Sequence, residues 1–262
     1  MGLFSKFLVL AFKEKYAYKF DFYISILASL LVIFVQINVW EALYKGSTVD
    51  SASLQQMIIY VMISSIIFTL TKSEAGNKIG RKIEDGSIIS DFTRPVNFKN
   101  YLFAEDLGNN FFQVIFISLP SVFIVSLFYG FTWPGDFINS MIFVISVVLG
   151  VLISFYIKYI IGLFAFWLET SWYIPFFVFA VFELFSGSTI PLWFFPEWLK
   201  NISLMLPFRM IFFEPISIFL NKYSYDYSLS IIGIQLLWLA ILVAFERLIW
   251  SGAQKKIVVH GG

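Results

Sequence analysis

Twelve of the chain's thirty-five Asp, Glu, Lys and Arg residues fall between Lys72 and Asp106. Charge gathered into one segment of an otherwise apolar chain makes a surface for something soluble, because bare charge is costly in an apolar medium. Elsewhere, groups able to do chemistry are scarce. There is no cysteine, and the one histidine, His260, lies near the C-terminal end. Disulfides, thiolate chemistry, haem and Cys/His zinc sites are therefore excluded or nearly so. A nucleophile with a histidine base would depend on that terminal residue. Gly76-Asn77-Lys78 and Gly80-Arg81-Lys82 are not phosphate loops, since no Gly-Lys-Ser/Thr cradle follows a strand. These residues argue against an enzyme in its own right.

A few ionisable or amide groups interrupt the long apolar stretches, where they are costly and so point to function by default. Glu183 is expected to line a substrate path, favouring a cationic ligand, or to pair with Arg209. Glu41 reaches an interface, and Lys158 snorkels along its stem to inner headgroups. Gln36, Asn38, Gln113 and Gln235 face a choice between interhelical hydrogen bonds and substrate contact, the former favoured. Gln36, Gln113, Gln235 and Glu183 are the pathway candidates.

The elements that must position these groups follow from composition. The 262 residues are 59% hydrophobic and 13% charged, about half the roughly 25% charge of a soluble domain. Lipid must solvate most of this surface. A net charge of +1 leaves no electrostatic footprint for nucleic acid. Runs of about 20 apolar residues cross a bilayer as helices. Six candidates are expected: Phe22–Tyr44, Leu54–Thr71, Phe111–Phe131, Phe137–Trp167, Trp172–Trp193 and Tyr227–Trp250. The fold class is all-α integral membrane protein, a single transmembrane domain over residues 1–262. Trp40, Trp133, Trp193, Trp198 and Trp250 sit near span ends, as an aromatic belt requires.

Lys and Arg asymmetry sets orientation. With the N-terminus inside, fourteen basic residues fall on the inner side and only Lys45, Lys200, Arg209 and Lys222 outside. Both termini and the charged segment are then cytoplasmic. Residues 1–21 read as a helix in the inner interface rather than a signal peptide, because Phe7–Phe12 is too short an apolar core. In residues 190–222, Pro191, Pro196, Pro207 and Pro215 break an apolar stretch into short pieces. That pattern suits a helical hairpin dipping into the outer leaflet and returning.

Within residues 72–110, a helix from Ala75 places Ile79 and Ile83 on one face. Asp85-Gly86-Ser87 signals a turn, and Ser87 can cap a short helix carrying Ile88, Ile89 and Phe92. Pro95 takes Arg94 out of the helical region. Asn97 can cap a further helix, Phe98–Leu107, leading through Gly108 into the third span. Apolar side chains ringed by charge suit a docking surface, and equally suit an interfacial helix touching only lipid.

The segment Ile83-Glu84-Asp85-Gly86-Ser87-Ile88-Ile89-Ser90-Asp91-Phe92-Thr93-Arg94-Pro95-Val96 resembles the coupling-helix region of ABC-2-type transporter permeases. Ser186-Gly187-Ser188-Thr189-Ile190-Pro191-Leu192, Phe195-Pro196-Glu197-Trp198-Leu199 and Leu206-Pro207-Phe208 resemble that family's outer hairpin, and Phe164-Ala165-Phe166-Trp167 fits the same pattern. The bacterial branch with viologen and multidrug exporters looks most similar. Phe92 departs from the leucine of many relatives, with similar volume. The resemblance implies a permease subunit exporting an amphipathic or hydrophobic substrate. It also implies a separate ATPase dimer that binds ATP and Mg and grips Arg81, Ile83, Glu84, Asp85, Gly86, Ile88, Ile89, Phe92, Arg94 and Pro95. A second permease copy or paralogue is implied too, in a bacterial cytoplasmic membrane. This chain would hold no cofactor itself. An ion-coupled secondary transporter, a membrane-embedded enzyme and a non-transporting scaffold are the alternatives. The first lacks the repeated halves usual in its class, and the second lacks a catalytic constellation.

Overall fold

A computed structural model describes residues 6–7, 9–10, 19–46, 52–92, 97–133, 136–168 and 174–260, without the side chains of 19–21, 92, 174–178 and 257–260. Among the described residues the fold is helical, with no strand. The helices are α1 (Lys19–Gly46), α2 (Leu54–Thr71), α3 (Ala75–Glu84), α4 (Ile88–Phe92), α5 (Phe98–Gln113), α6 (Leu119–Tyr129), α7 (Phe137–Leu163), α8 (Ile174–Ser186), α9 (Glu197–Leu204), α10 (Phe213–Phe219) and α11 (Tyr225–His260).

Local sequence sets several of these ends. Ser53 opens α2 with a capping box, its hydroxyl accepting from Gln56 N while Gln56 Oε1 accepts from Ser53 N. Asp136 accepts from Ile138 N at the start of α7 (3.1 Å), and Asn97 accepts from Asn100 N at the start of α5 (3.1 Å). No break occurs at Gly108. Instead α5 runs into α6 through a π-helical turn, Val114–Ser118, giving one 32-residue rod. At 1.5 Å per residue that rod is about 48 Å long, which exceeds a hydrocarbon layer of about 30 Å.

Among the described residues, five helices are long and apolar enough to cross a membrane, or six if the bent pair around α9 and α10 counts as one. The fifth expected span ends earlier than its apolar run. Apolar sequence continues from Trp172 to Trp193, but helix α8 has 13 residues and stops at Ser186. Gly187 follows with φ +76°, a backbone state that ends helices and favours glycine. A Cβ there would also press on Leu192 (2.9 Å) and Phe213 (3.0 Å).

The segment after α8 packs into the bundle. Tyr60 Oη donates to Gly187 O (2.6 Å) and Ser64 Oγ to Ser188 O (2.6 Å), both from the middle of α2. Gln235 Nε2 of α11 donates to Met210 O (2.8 Å) and to Ser146 O of α7 (3.0 Å). The hairpin thus penetrates to the middle of the bundle, with a 76° bend between its arms. Arg209 pairs with Glu214 inside it, both buried. That pairing replaces the expected Glu183–Arg209 contact: five residues separate the two partners, on the same buried turn. Trp133 and Trp198 are exposed near helix ends, whereas Trp40 is buried against Phe194 (5.0 Å between rings) and does not serve a belt.

Candidate functional site

At the end of the bundle opposite the hairpin, α3, α4 and the start of α5 form a compact subdomain. Its core is Ala75, Ile79, Ile88, Phe98 and Leu102 packed on Phe155, Tyr159 and Leu163 of α7. Gly86, with φ +73°, makes the turn between α3 and α4. Asp85 Oδ1 accepts from Ser87 N across it (2.9 Å). The Ser87 hydroxyl, then that N–H, then the Lys82 charge hold the Asp85 carboxyl below the usual carboxylate range. Lys82 pairs with the buried Asp91 and so fixes α4 against α3, while Lys78 pairs with Glu105 of α5 (2.5 Å).

The candidate contact residues separate by direction. Ile88 is 5% exposed and belongs to the subdomain core, whereas Ile89 is 51% exposed. Arg81, Glu84, Asp85 and Gly86 are exposed and Ile83 is half-buried. The Phe92 side chain, Arg94 and Pro95 lie outside the described residues, as does most of the segment 1–21. From that segment Phe7 packs edge-on against Tyr101 of α5 (4.9 Å). Lys99 at the start of α5 pairs with Glu246 of α11 (3.0 Å) and lies over the Tyr156 ring. The subdomain is therefore tied to α7 and α11 as well as to its own chain neighbours.

Between α2 and α3 the helix is broken at Lys72–Glu74, and side chains from two other helices satisfy the break. Lys158 Nζ (2.7 Å) and Ser154 Oγ (3.1 Å) donate to Thr71 O. Asn110 Nδ2 donates to Leu70 O (2.9 Å) and Lys72 O (2.6 Å). Asp106 accepts from Ser73 Oγ (2.5 Å) and Glu74 N (3.3 Å). A cation on a helix-terminal carbonyl is favoured by both charge and dipole, and is worth about 1.5–3 kcal/mol. Lys158 therefore caps α2 instead of snorkelling, because an unsatisfied carbonyl lies within its reach. Asp106 precedes the expected third span, Phe111–Phe131, and burial pushes its carboxyl up to about 6, opposed by Ser73 and the Glu74 N–H.

Beside this break opens a cavity of about 600 Å³. Its lining combines apolar Phe68, Ile161, Phe179 and Phe182 with polar and charged Lys72, Glu74, Asn77, Arg81 and Glu84. Glu183 lines it too, with Oε2 accepting from Ser188 (2.9 Å) and Thr189 (2.7 Å). Gln235 is buried on two backbone carbonyls far from it. Gln36 and Gln113 are half-buried on α1 and α5. Sequence reading passed over Asp106, Asn110 and Ser154 and misplaced Lys158. The available signal was spacing: each helix carries two polar residues four apart, which puts them on one face.

A model of the ABC-2 family transporter protein matches residues 22–261. The chain belongs to the ABC-2 transporter family. An ABC-2 protein of this kind is the membrane-embedded permease component of an ABC transporter and pairs with an ABC ATPase subunit. Comparison with curated proteins and with solved structures gives no match. The subdomain of α3, α4 and α5 lies at the place in this ABC-2 chain where the coupling-helix resemblance falls.

Proposed function

We propose that this permease works as an exporter of an amphipathic or hydrophobic substrate, with its ATPase docking on the α3–α4 subdomain from the cytoplasm. The carrying observation is that α3 serves two surfaces at once. Gly76, Asn77, Gly80, Arg81 and Glu84 of α3 line the cavity, and the same helix leads through Gly86 to the exposed Ile89. A push on that surface has a direct mechanical path to the cavity wall. A lining that combines aromatic and charged side chains fits a molecule with an apolar body and a polar head.

On this reading the substrate enters from the cytoplasm or inner leaflet, and a second permease copy or paralogue completes the pathway in a bacterial cytoplasmic membrane. Both termini are cytoplasmic. ATP and Mg are bound by the ATPase, because the chain has no Gly-Lys-Ser/Thr cradle. Co-purification of a tagged chain with the ATPase encoded beside it tests the reading. A stable complex that hydrolyses ATP is expected, and its absence from cells expressing both would refute ATPase docking.

A further inference from the structure

We propose that the break between α2 and α3 is a transmission joint, with Lys158 as the positioning residue that couples the docking subdomain to the fourth span and the cavity. The proposal rests on the docking reading above.

In an unbroken helix Glu74 N would bond Leu70 O, and Ala75 N would bond Thr71 O. Here both donors and both acceptors have side-chain partners instead. Glu74 N goes to Asp106 and Ala75 N to Ser73 Oγ (3.2 Å), while Leu70 O receives Asn110 and Thr71 O receives Lys158 and Ser154. No backbone hydrogen bond of that register ties α3 rigidly to α2. The ties run sideways, to Asp106 and Asn110 on α5 and to Ser154 and Lys158 on α7. Both pairs are spaced by four residues, so each helix offers one face to the joint.

The sideways ties are reinforced by contact. A Cβ on Gly162 of α7 would lie 2.5 Å from Gly76 Cα, so α3 and α7 touch backbone to backbone. A displacement of α3 therefore carries the inner end of α7, which is tied in turn to the last turn of α2 by Lys158 and Ser154 on Thr71 O. Lys158 joins this contact to the cavity. Its ammonium bonds Thr71 O, lines the cavity and lies 4.7 Å from the Phe182 ring centroid of α8. It thereby meets α8 as well, so the state of the cavity and the state of the joint share one side chain.

Two measurements test this on the full-length chain in nanodiscs. Hydrogen exchange on the permease alone should show amides 73–77 exchanging at least tenfold faster in Lys158→Met, within threefold of wild type in Lys158→Arg, and about threefold faster in Ser154→Ala. With the ATPase bound, Lys158→Met should retain ATPase binding and hydrolysis. The ATP-induced change in maleimide labelling of a Lys200→Cys reporter should shrink at least fivefold, and Lys158→Arg should keep it. A Lys158→Met complex with a wild-type labelling response overturns the joint, as does unchanged exchange in both Lys158→Met and Ser154→Ala. If the ATPase fails to bind even the unaltered chain, the docking reading falls, and the exchange comparison still decides the joint.

Discussion

Ile88 and Ile89 are identical side chains one position apart, and the helix sends them in opposite directions. Ile88 fills the core under α3, so Ile88→Ala should destabilise the chain by about 2–5 kcal/mol, as large-to-small core changes do. Ile89 is half-exposed, so Ile89→Asp should leave the thermal midpoint of the detergent-solubilised chain nearly unchanged and abolish ATPase co-purification. Equal loss of thermal stability in both variants would remove the distinction. Asp106 gives a pH-dependent counterpart. Its carboxyl is raised from 3.8 to about 6, so between these values the folded chain holds a proton that the unfolded chain has released. The corresponding stabilisation is complete below about pH 4 and is lost as pH rises through about 6. Wild type should therefore gain thermal stability relative to Asp106→Asn as pH falls from 7 to 5. A parallel pair of curves would show that Asp106 titrates normally.

Helices whose limits depend on run length and short-range caps are visible before folding. Leu54–Thr71 ends where expected, Asn97 caps as its position suggests, and Gly86 makes its turn. The end of the fifth span at Ser186 was not visible, because Trp172–Trp193 is apolar almost throughout and a run-length reading does not register the positive φ at Gly187. The cavity was hidden for another reason: its walls come from three separate stretches of sequence, 68–84, 158–165 and 179–183. The partner of Lys158 was equally hidden, since Thr71 is 87 residues away in sequence. The glycines at the α3–α7 crossing carry the same lesson, as only the packed structure shows that Gly76 and Gly162 touch. Gly162→Ala should force α3 and α7 apart and cost about 1–3 kcal/mol, the range for overpacking a tight contact. Gly252→Ala meets the edge of the Trp167 ring at 3.2 Å, a side chain that can shift, so it should cost less. Thermal unfolding of the two variants in one detergent checks that order.

The whole molecule has two ends that differ in more than helix direction. One end gathers Gln55 beside Gly130, Asn139 on Asn221, and the hairpin through Trp40 and Phe194. The other gathers Thr71, Lys158, Asp106 and the docking subdomain. The structure also alters the charge asymmetry that orients the chain. Arg209, counted on the outer side, is buried in a pair with Glu214, which leaves Lys45, Lys200 and Lys222 as its cations. Lys158, counted inside, caps α2 from within the bundle, so the inner total falls by one as well. The ratio becomes steeper, and orientation by basic residues near short loops depends on that ratio. The chain has no cysteine, so single cysteines report without background. In intact cells Lys200→Cys should react with a membrane-impermeant maleimide, and Lys82→Cys should react only after permeabilisation. The reverse pattern would invert the molecule and place the docking subdomain where no ATP is available, which would end the exporter reading along with the topology.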